Sequence, residues 1–269
     1  MNAPPDFLRR IIEQKRVRLS RAMNSRPLEE LRAAASDVRS EAKPHAFRAA
    51  LERAGRFHVI AEIKRASPSL GDIRTDISPA ALAREYESGG ASAISILTEE
   101  DHFKGSLPDL REVRAHTSLP LLRKDFIFEE WQVYEAAAAR ADALLLIVAA
   151  LEDATLARLL SITEAELGMD ALVEVHTAEE LRRAAVCGAK VIGVNNRNLH
   201  TFEVSLETSV ELATHAPQNA LLVSESGLRT QADLRRLASL GYRGFLVGET
   251  LMRAAHPAEA LRALLAETS

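Results

Sequence analysis

Eight short apolar runs recur along this chain with helix-length segments between them, and most of its unusual polar residues stand where a run stops. The runs read as strands at 58–64, 91–98, 119–125, 142–149, 171–176, 190–195, 220–225 and 244–248. The clearest endings are AEIKRASPS, LLRKDF, LVEVHT, GVNNRNL, LVSESG and FLVGET. Strand and helix in strict alternation predict a parallel sheet with right-handed crossovers. Eight repeats predict closure into an α/β fold of the (β/α)8 TIM barrel class. The rival, an open doubly wound sheet, normally carries a Gly-rich first turn of GxGxxG type, which this chain lacks. In a barrel the C-terminal strand ends form the active-site mouth and the opposite rim serves stability.

The helices between the strands are well punctuated. Ser78-Pro79 reads as an N-cap and first-turn proline, with Gly89-Gly90 as the stop. Thr177 to Glu180 fits a capping box ended by Gly188, and Thr230 and Gly241 bracket another helix. The first fifty or so residues differ: Phe7, Leu8, Ile11, Ile12, Lys15 and Leu19 fall at helical spacing, followed by Leu28, Leu31 and Ala35, then by Phe47 and Leu51. Pro27 and Pro44 separate the three sets. They predict two or three helices packed on the barrel, the alternative being a loose linker. We therefore expect residues 1–269 to form a single domain, with about 1–52 as its helical N-terminal extension.

At 269 residues the chain matches the ~250 typical of one such barrel, and 47% apolar content supplies a substantial core. The mild net charge of −4, without long runs of one sign, argues against nucleic-acid or membrane partners. No stretch is apolar enough to span a bilayer and MNAPPDFLRRIIEQ lacks a signal-peptide core, so the expectation is a cytoplasmic protein. The single cysteine, Cys187, forbids an internal disulfide and is expected to be buried packing.

Alternation along each strand selects the side chains that face the barrel interior. Glu62 shares its parity with Lys64; Lys124 shares its own with Leu122 and Phe126, leaving Arg123 and Asp125 on the outward face. Glu174 lies between valines and Glu225 matches Val223. An outward charge would be buried under helices without purpose, whereas an inward one at a strand end reaches the mouth. Glu62, Lys64, Lys124, Glu174 and Glu225 should therefore converge there. A purely internal ion-pair network is the alternative, but buried pairs bring little net stability.

Ser226-Gly227 and Gly248-Glu249-Thr250 close the last two strands, where barrels recurrently hold phosphate on backbone N–H groups and a helix N-terminus. Tight turns alone are the bland reading. The segment RASPSLGDIRTDI after Lys64 is long for a βα loop and is a lid candidate able to bring Ser67 to an anion. Asn195 and Arg197 suit hydrogen bonds to a polar substrate, while Asn196 fits an Asx turn almost as well. The histidines show no spacing suited to a metal.

Together AEIKRASPS, TEEDHFKGSLPDL, LLRKDFI, LVEVHT, VNNRNL, VSESG and VGETLM resemble the indole-3-glycerol-phosphate synthase family of tryptophan biosynthesis, in the right order from about residue 5 onward. The resemblance implies a carboxy-lyase that closes the ring of 1-(2-carboxyphenylamino)-1-deoxyribulose 5-phosphate, losing carbon dioxide and water to give indole-3-glycerol phosphate. It implies Lys124 as general acid on the ketone oxygen and Lys64, oriented by Glu62, as the cation holding the substrate carboxylate. Glu174 would be the base in dehydration, with the donor either lysine. Asn195 and Glu225 would stabilise intermediates. Ser67, Ser226, Gly227, Gly248 and their neighbours Glu249 and Thr250 would hold the phosphate, Arg197 would bind the substrate, and Phe103, Phe126 and Leu199 would flank the aromatic ring.

No cofactor is implied, and a monomer is expected, with a dimer as the alternative. Thr250 stands where the family pattern favours serine, which keeps the hydroxyl. The isomerase domain fused to some family members is not expected here. Rival readings are a sister phosphate-binding barrel of the same pathway (its isomerase or the tryptophan synthase α chain), a Schiff-base aldolase using Lys64 or Lys124, and a non-catalytic scaffold.

Overall fold

The computed structural model describes residues 6–54 and 57–266. Its sheet closes on itself: β1 (His58–Ile63) pairs in parallel with both β4 (Ala93–Leu97) and β10 (Tyr242–Val247). The ring is completed by β5 (Leu121–Lys124), β6 (Ala143–Ile147), β7 (Asp170–Val175), β8 (Val191–Asn195) and β9 (Leu221–Glu225). Each apolar run thus became a barrel strand, with ends moved by a residue or two.

Two layers of core follow from the alternation. Ile60, Leu122, Leu145, Leu172, Val223 and Leu246 point inward and fill the barrel. The opposite faces pack under the helices, among them α4 (Pro79–Gly89), α6 (Glu130–Ala138) and α8 (Ala178–Val186). The expected caps form: Ser78 accepts the Ala81 N–H, and Thr230 makes a reciprocal capping box with Asp233. At α8 the box is only half made. Thr177 accepts the Glu180 N–H, but the Glu180 carboxylate reaches past it to the His176 backbone N–H at 2.6 Å.

Three N-terminal helices precede the barrel: α1 (Asp6–Ser25), α2 (Leu28–Ser40) and α3 (Ala46–Leu51). They divide the work. In α3, Phe47 and Leu51 plug the floor, joining the inner core. α2 lies along α6, with Trp131 Nε1 donating to Arg26 O at 3.0 Å and Arg32 stacked over Tyr134. α1 reaches the mouth, where Leu8 enters the inner core and Phe7 meets His102 and Phe202 edge-on.

The expectation that outward charges are buried without purpose is overturned on β5. Arg123 is buried on the outer face, bonded to Glu135 at 2.7 Å, Asp125 at 3.1 Å and Thr98 Oγ1 at 3.1 Å. Asp125 is buried too, and it pairs with Lys15 of α1 while accepting Thr98 Oγ1 and the Phe126 N–H. These charges tie the N-terminal helix to the barrel. Alternation correctly predicted which way they point, but it could not reveal a partner arriving from outside the ring.

Cys187 is half-buried rather than fully buried, at the end of α8, and burial pushes its thiol pKa up. Among the described residues no helix is long and apolar enough to cross a membrane.

Candidate active site

A cavity of about 400 Å³ opens at the C-terminal ends of the strands, and every residue proposed from the sequence as catalytic or substrate-binding lines it. The parallel register brings the charged ones level: Glu62 sits beside Ser95, Glu174 beside Gly193, and Asn195 beside Glu225.

Two lysine–glutamate sets face each other. Lys64 Nζ lies 2.6 Å from Glu62 Oε1. Lys124 Nζ lies 2.7 Å from Glu225 Oε2 and 3.6 Å from Glu174 Oε2. Burial works against charge on Lys124, but Glu225, Glu174 and Glu62 outweigh it and hold the ammonium well above the ordinary lysine value. Burial likewise opposes ionisation of Glu62, yet Lys64, Lys124 and Arg197 bring its carboxyl below the usual range. For Glu225 burial wins over Lys124, with Glu174 and Glu62 adding repulsion, and its pKa is pushed up to about 7. Its second oxygen, Oε1, is buried without a hydrogen-bond partner. Gly193 makes that geometry possible: a Cβ there would collide with Glu225 Oε1.

The loops after β9 and β10 form the opposite end. Ser226 and Gly227 both adopt left-handed backbone, φ 66° and 80°, a conformation that costs a serine and suits a glycine. Ser226 Oγ donates to Asn195 Oδ1 at 2.9 Å, which also accepts the Arg197 N–H. Gly248 and α11 (Glu249–Met252) close the last strand. The Glu249 carboxylate pairs with Arg253 at 3.1 Å, so only its backbone N–H is suited to an anion. Thr250 Oγ1 donates to Leu228 O at 2.9 Å; this hydroxyl ties the two loops together.

The remaining predicted residues fall on the walls. Phe103 and Phe126 stand with ring centroids 6.3 Å apart. Ser67 is buried at the base of a small hairpin, β2 (Ala66–Ser67) with β3 (Gly71–Asp72), anchored by the Arg65–Asp109 pair and by Ala66 N–H to Phe103 O. The long loop is thus an ordered flap with an exposed tip at Leu70. Arg197 donates to Phe202 O at 3.0 Å. Asn196 points away from the cavity, bonding Ser224, Ser209 and the β9 backbone.

Sequence reasoning missed Phe7, Leu8, Phe202, Arg229 and Arg253, which also line the cavity. Phe7 and Leu8 belonged to the apolar stripe of α1, but a stripe does not say which surface it will cover. The two arginines follow the Ser-Gly and Gly-Glu turns closely, and that placement was the available signal.

A family model for indole-3-glycerol phosphate synthase matches residues 8–264. The chain belongs to the indole-3-glycerol phosphate synthase family. Its relatives in that family include indole-3-glycerol phosphate synthase of Carboxydothermus hydrogenoformans, 46% identical over 97% of this chain and 100% of that protein. Another is indole-3-glycerol phosphate synthase of Azospirillum brasilense, 47% identical over 97% of this chain and 99% of that one. Among solved structures, KGPDC from Streptococcus mutans aligns with a TM-score of 0.61 at 13% identity, covering 78% of this chain and 96% of that one. A chain of the tryptophan synthase complex from Pyrococcus furiosus gives 0.57 at 15% identity, covering 78% and 98%. At such identities these two share only the barrel fold with the synthase family.

Proposed function

We infer that this chain acts as the family's carboxy-lyase in tryptophan biosynthesis. It closes the ring of 1-(2-carboxyphenylamino)-1-deoxyribulose 5-phosphate, then releases carbon dioxide and water to form indole-3-glycerol phosphate. The observation that carries the residue assignment is the Lys124 ammonium between Glu225 and Glu174, opposite the Lys64–Glu62 pair, in one cavity with paired glycine turns.

The reaction needs positive charge where a ketone oxygen becomes an alcohol, and preorganised charge aimed at such a centre is a large contribution to catalysis. Lys124, kept charged by its glutamates, supplies it and donates the proton. Glu225, titrating near neutrality at 2.7 Å, stabilises the intermediates and accepts or returns a proton to the same lysine. Lys64, oriented by Glu62, holds the substrate carboxylate until carbon dioxide leaves. Glu174 removes the ring proton in dehydration, with Asn195 orienting the intermediate.

The phosphate sits on the backbone of Ser226, Gly227, Gly248, Glu249 and Thr250, with Ser67 in support, while Arg197, close enough to act on Glu62, hydrogen-bonds the polar part of the substrate. Phe103, Phe126 and Leu199 flank the aromatic ring. Residues 1–269 work as one unit in this reading, with about 1–52 as its cap, in the cytoplasm and as a monomer; residues 1–5, 55–56 and 267–269 of that span lie outside the described residues.

The test is to supply the carboxyphenylamino-deoxyribulose phosphate to purified protein and follow indole fluorescence. A rise that inorganic phosphate inhibits competitively is the expected result. Substrate binding without a rise would send the search to sister reactions on aminated sugar phosphates, and indifference to high millimolar phosphate would remove the anion site.

A further inference from the structure

β7 runs into His176, which shares the inward parity of Glu174 and stands just beyond the cavity lining. The imidazole lies between two carboxylates. Nδ1 is 3.3 Å from Glu180 Oε2, the oxygen that also accepts the His176 backbone N–H. Nε2 is 3.5 Å from Glu174 Oε1 and is buried without a hydrogen-bond partner. Glu174 is therefore flanked on both oxygens, Oε1 by His176 and Oε2 by Lys124.

Resting on the reading of Glu174 as the base, we propose that His176 is a positioning residue: anchored by Glu180, its imidazolium holds Glu174 Oε1 and leaves Oε2 to take the proton. Glu180 performs this at the expense of the capping box it would otherwise complete at Thr177, which indicates what its carboxylate is for. A ring serving only to pack would not leave a buried, unpartnered nitrogen 3.5 Å from a carboxylate oxygen. The 3.5 Å gap is longer than a charge-assisted bond, as catalytic hydrogen bonds often are before substrate tightens them. The charged groups acting on the ring are Glu174 on β7, Glu180 on α8 and Glu225 on β9, with Lys124 on the far side of Glu174. Burial opposes the imidazolium, but these carboxylates outweigh it and favour the charged form.

Two measurements test the relay. The His176 ring is titrated by NMR in the wild type and in Glu174→Gln; removing the facing charge should lower its pKa, and an unchanged value overturns the contact. In kinetics, His176→Ala should lose roughly 10–100-fold in kcat, the scale of a misplaced catalytic group, with KM within about threefold. His176→Gln keeps a donor and should recover much of that loss. The wild-type decline in kcat as pH rises through the His176 titration should vanish in His176→Gln, which cannot discharge. Unchanged kcat in His176→Ala overturns the proposal, as does equal loss in both variants with an intact pH profile and a lowered melting temperature. Turnover that survives in Glu174→Gln would instead remove the base assignment, and the relay with it.

Discussion

At the floor of the barrel, Asp142 accepts the Leu121 backbone N–H at 2.9 Å and pairs with Arg114 and Arg39, and Asp170 accepts the Arg48 N–H at 2.8 Å beside His45. At the mouth, the carboxylates of Glu62, Glu174 and Glu225 have side-chain partners only, among the described residues. Asp125 on the outer face follows the floor pattern, accepting the Phe126 N–H. A backbone partner is fixed by the fold. A side-chain partner can be exchanged for a substrate oxygen and taken back. The same residue types thus serve stability at one end and chemistry at the other, and the partner's nature distinguishes them.

The largest effect should come from breaking the floor. Asp142→Ala leaves the half-buried Arg39 and Arg114 without their carboxylate and the Leu121 N–H without an acceptor. A hydrogen bond to a charged group is worth about 1.5–3 kcal/mol, so losing those to the Leu121 N–H and to Arg114 should cost about 3–5 kcal/mol together, to be read from denaturant unfolding. Turnover of the fraction that stays folded should be unchanged. A variant of wild-type stability and reduced kcat would erase the distinction between the two ends.

Lys124→Ala tests the mouth. Loss of a preorganised charge donor lowers kcat by roughly 10²–10³, or about 3–4 kcal/mol, with a smaller effect on KM. Stability should hardly fall, because Glu225 already titrates near neutrality and can take up a proton when its cation goes. A loss of stability comparable to that of Asp142→Ala would mean that the mouth is built like the floor.

How much of this the sequence carried depends on which link is asked about. The eight strands and the inward set Glu62, Lys64, Lys124, Glu174 and Glu225 were legible because strand alternation is rigid and the apolar runs are clean. The roles of Arg123 and Asp125 were not: their partner Lys15 lies on a helix far upstream, and periodicity is silent about which distant surface a helix will cover. Phe7 and Leu8 escaped for the same reason. Glu180 was read as half of a capping box, a local rule that a stronger partner at His176 overrode. These failures are of two kinds, contacts between segments remote in sequence and choices between competing partners.

The smallest expected effect sharpens the contrast most, because it asks whether the mouth is held at a cost to stability. A Glu225 carboxyl in the unfolded chain titrates at about 4.3, whereas in the folded protein burial raises it to about 7 despite Lys124. Between those values the native state binds more protons than the unfolded one, so the stabilisation is present below the lower value and is lost as pH rises through the upper. Glu225→Gln has nothing to ionise. Its stability relative to the wild type should therefore increase between pH 5 and pH 8, by on the order of 1–3 kcal/mol, while its turnover falls. Denaturant melts of the two proteins at both pH values measure this directly. A stability difference that does not move with pH would show that Lys124 fully compensates the buried charge. The mouth would then be as settled as the floor, and the unpaired Oε1 would have to be explained without stored cost.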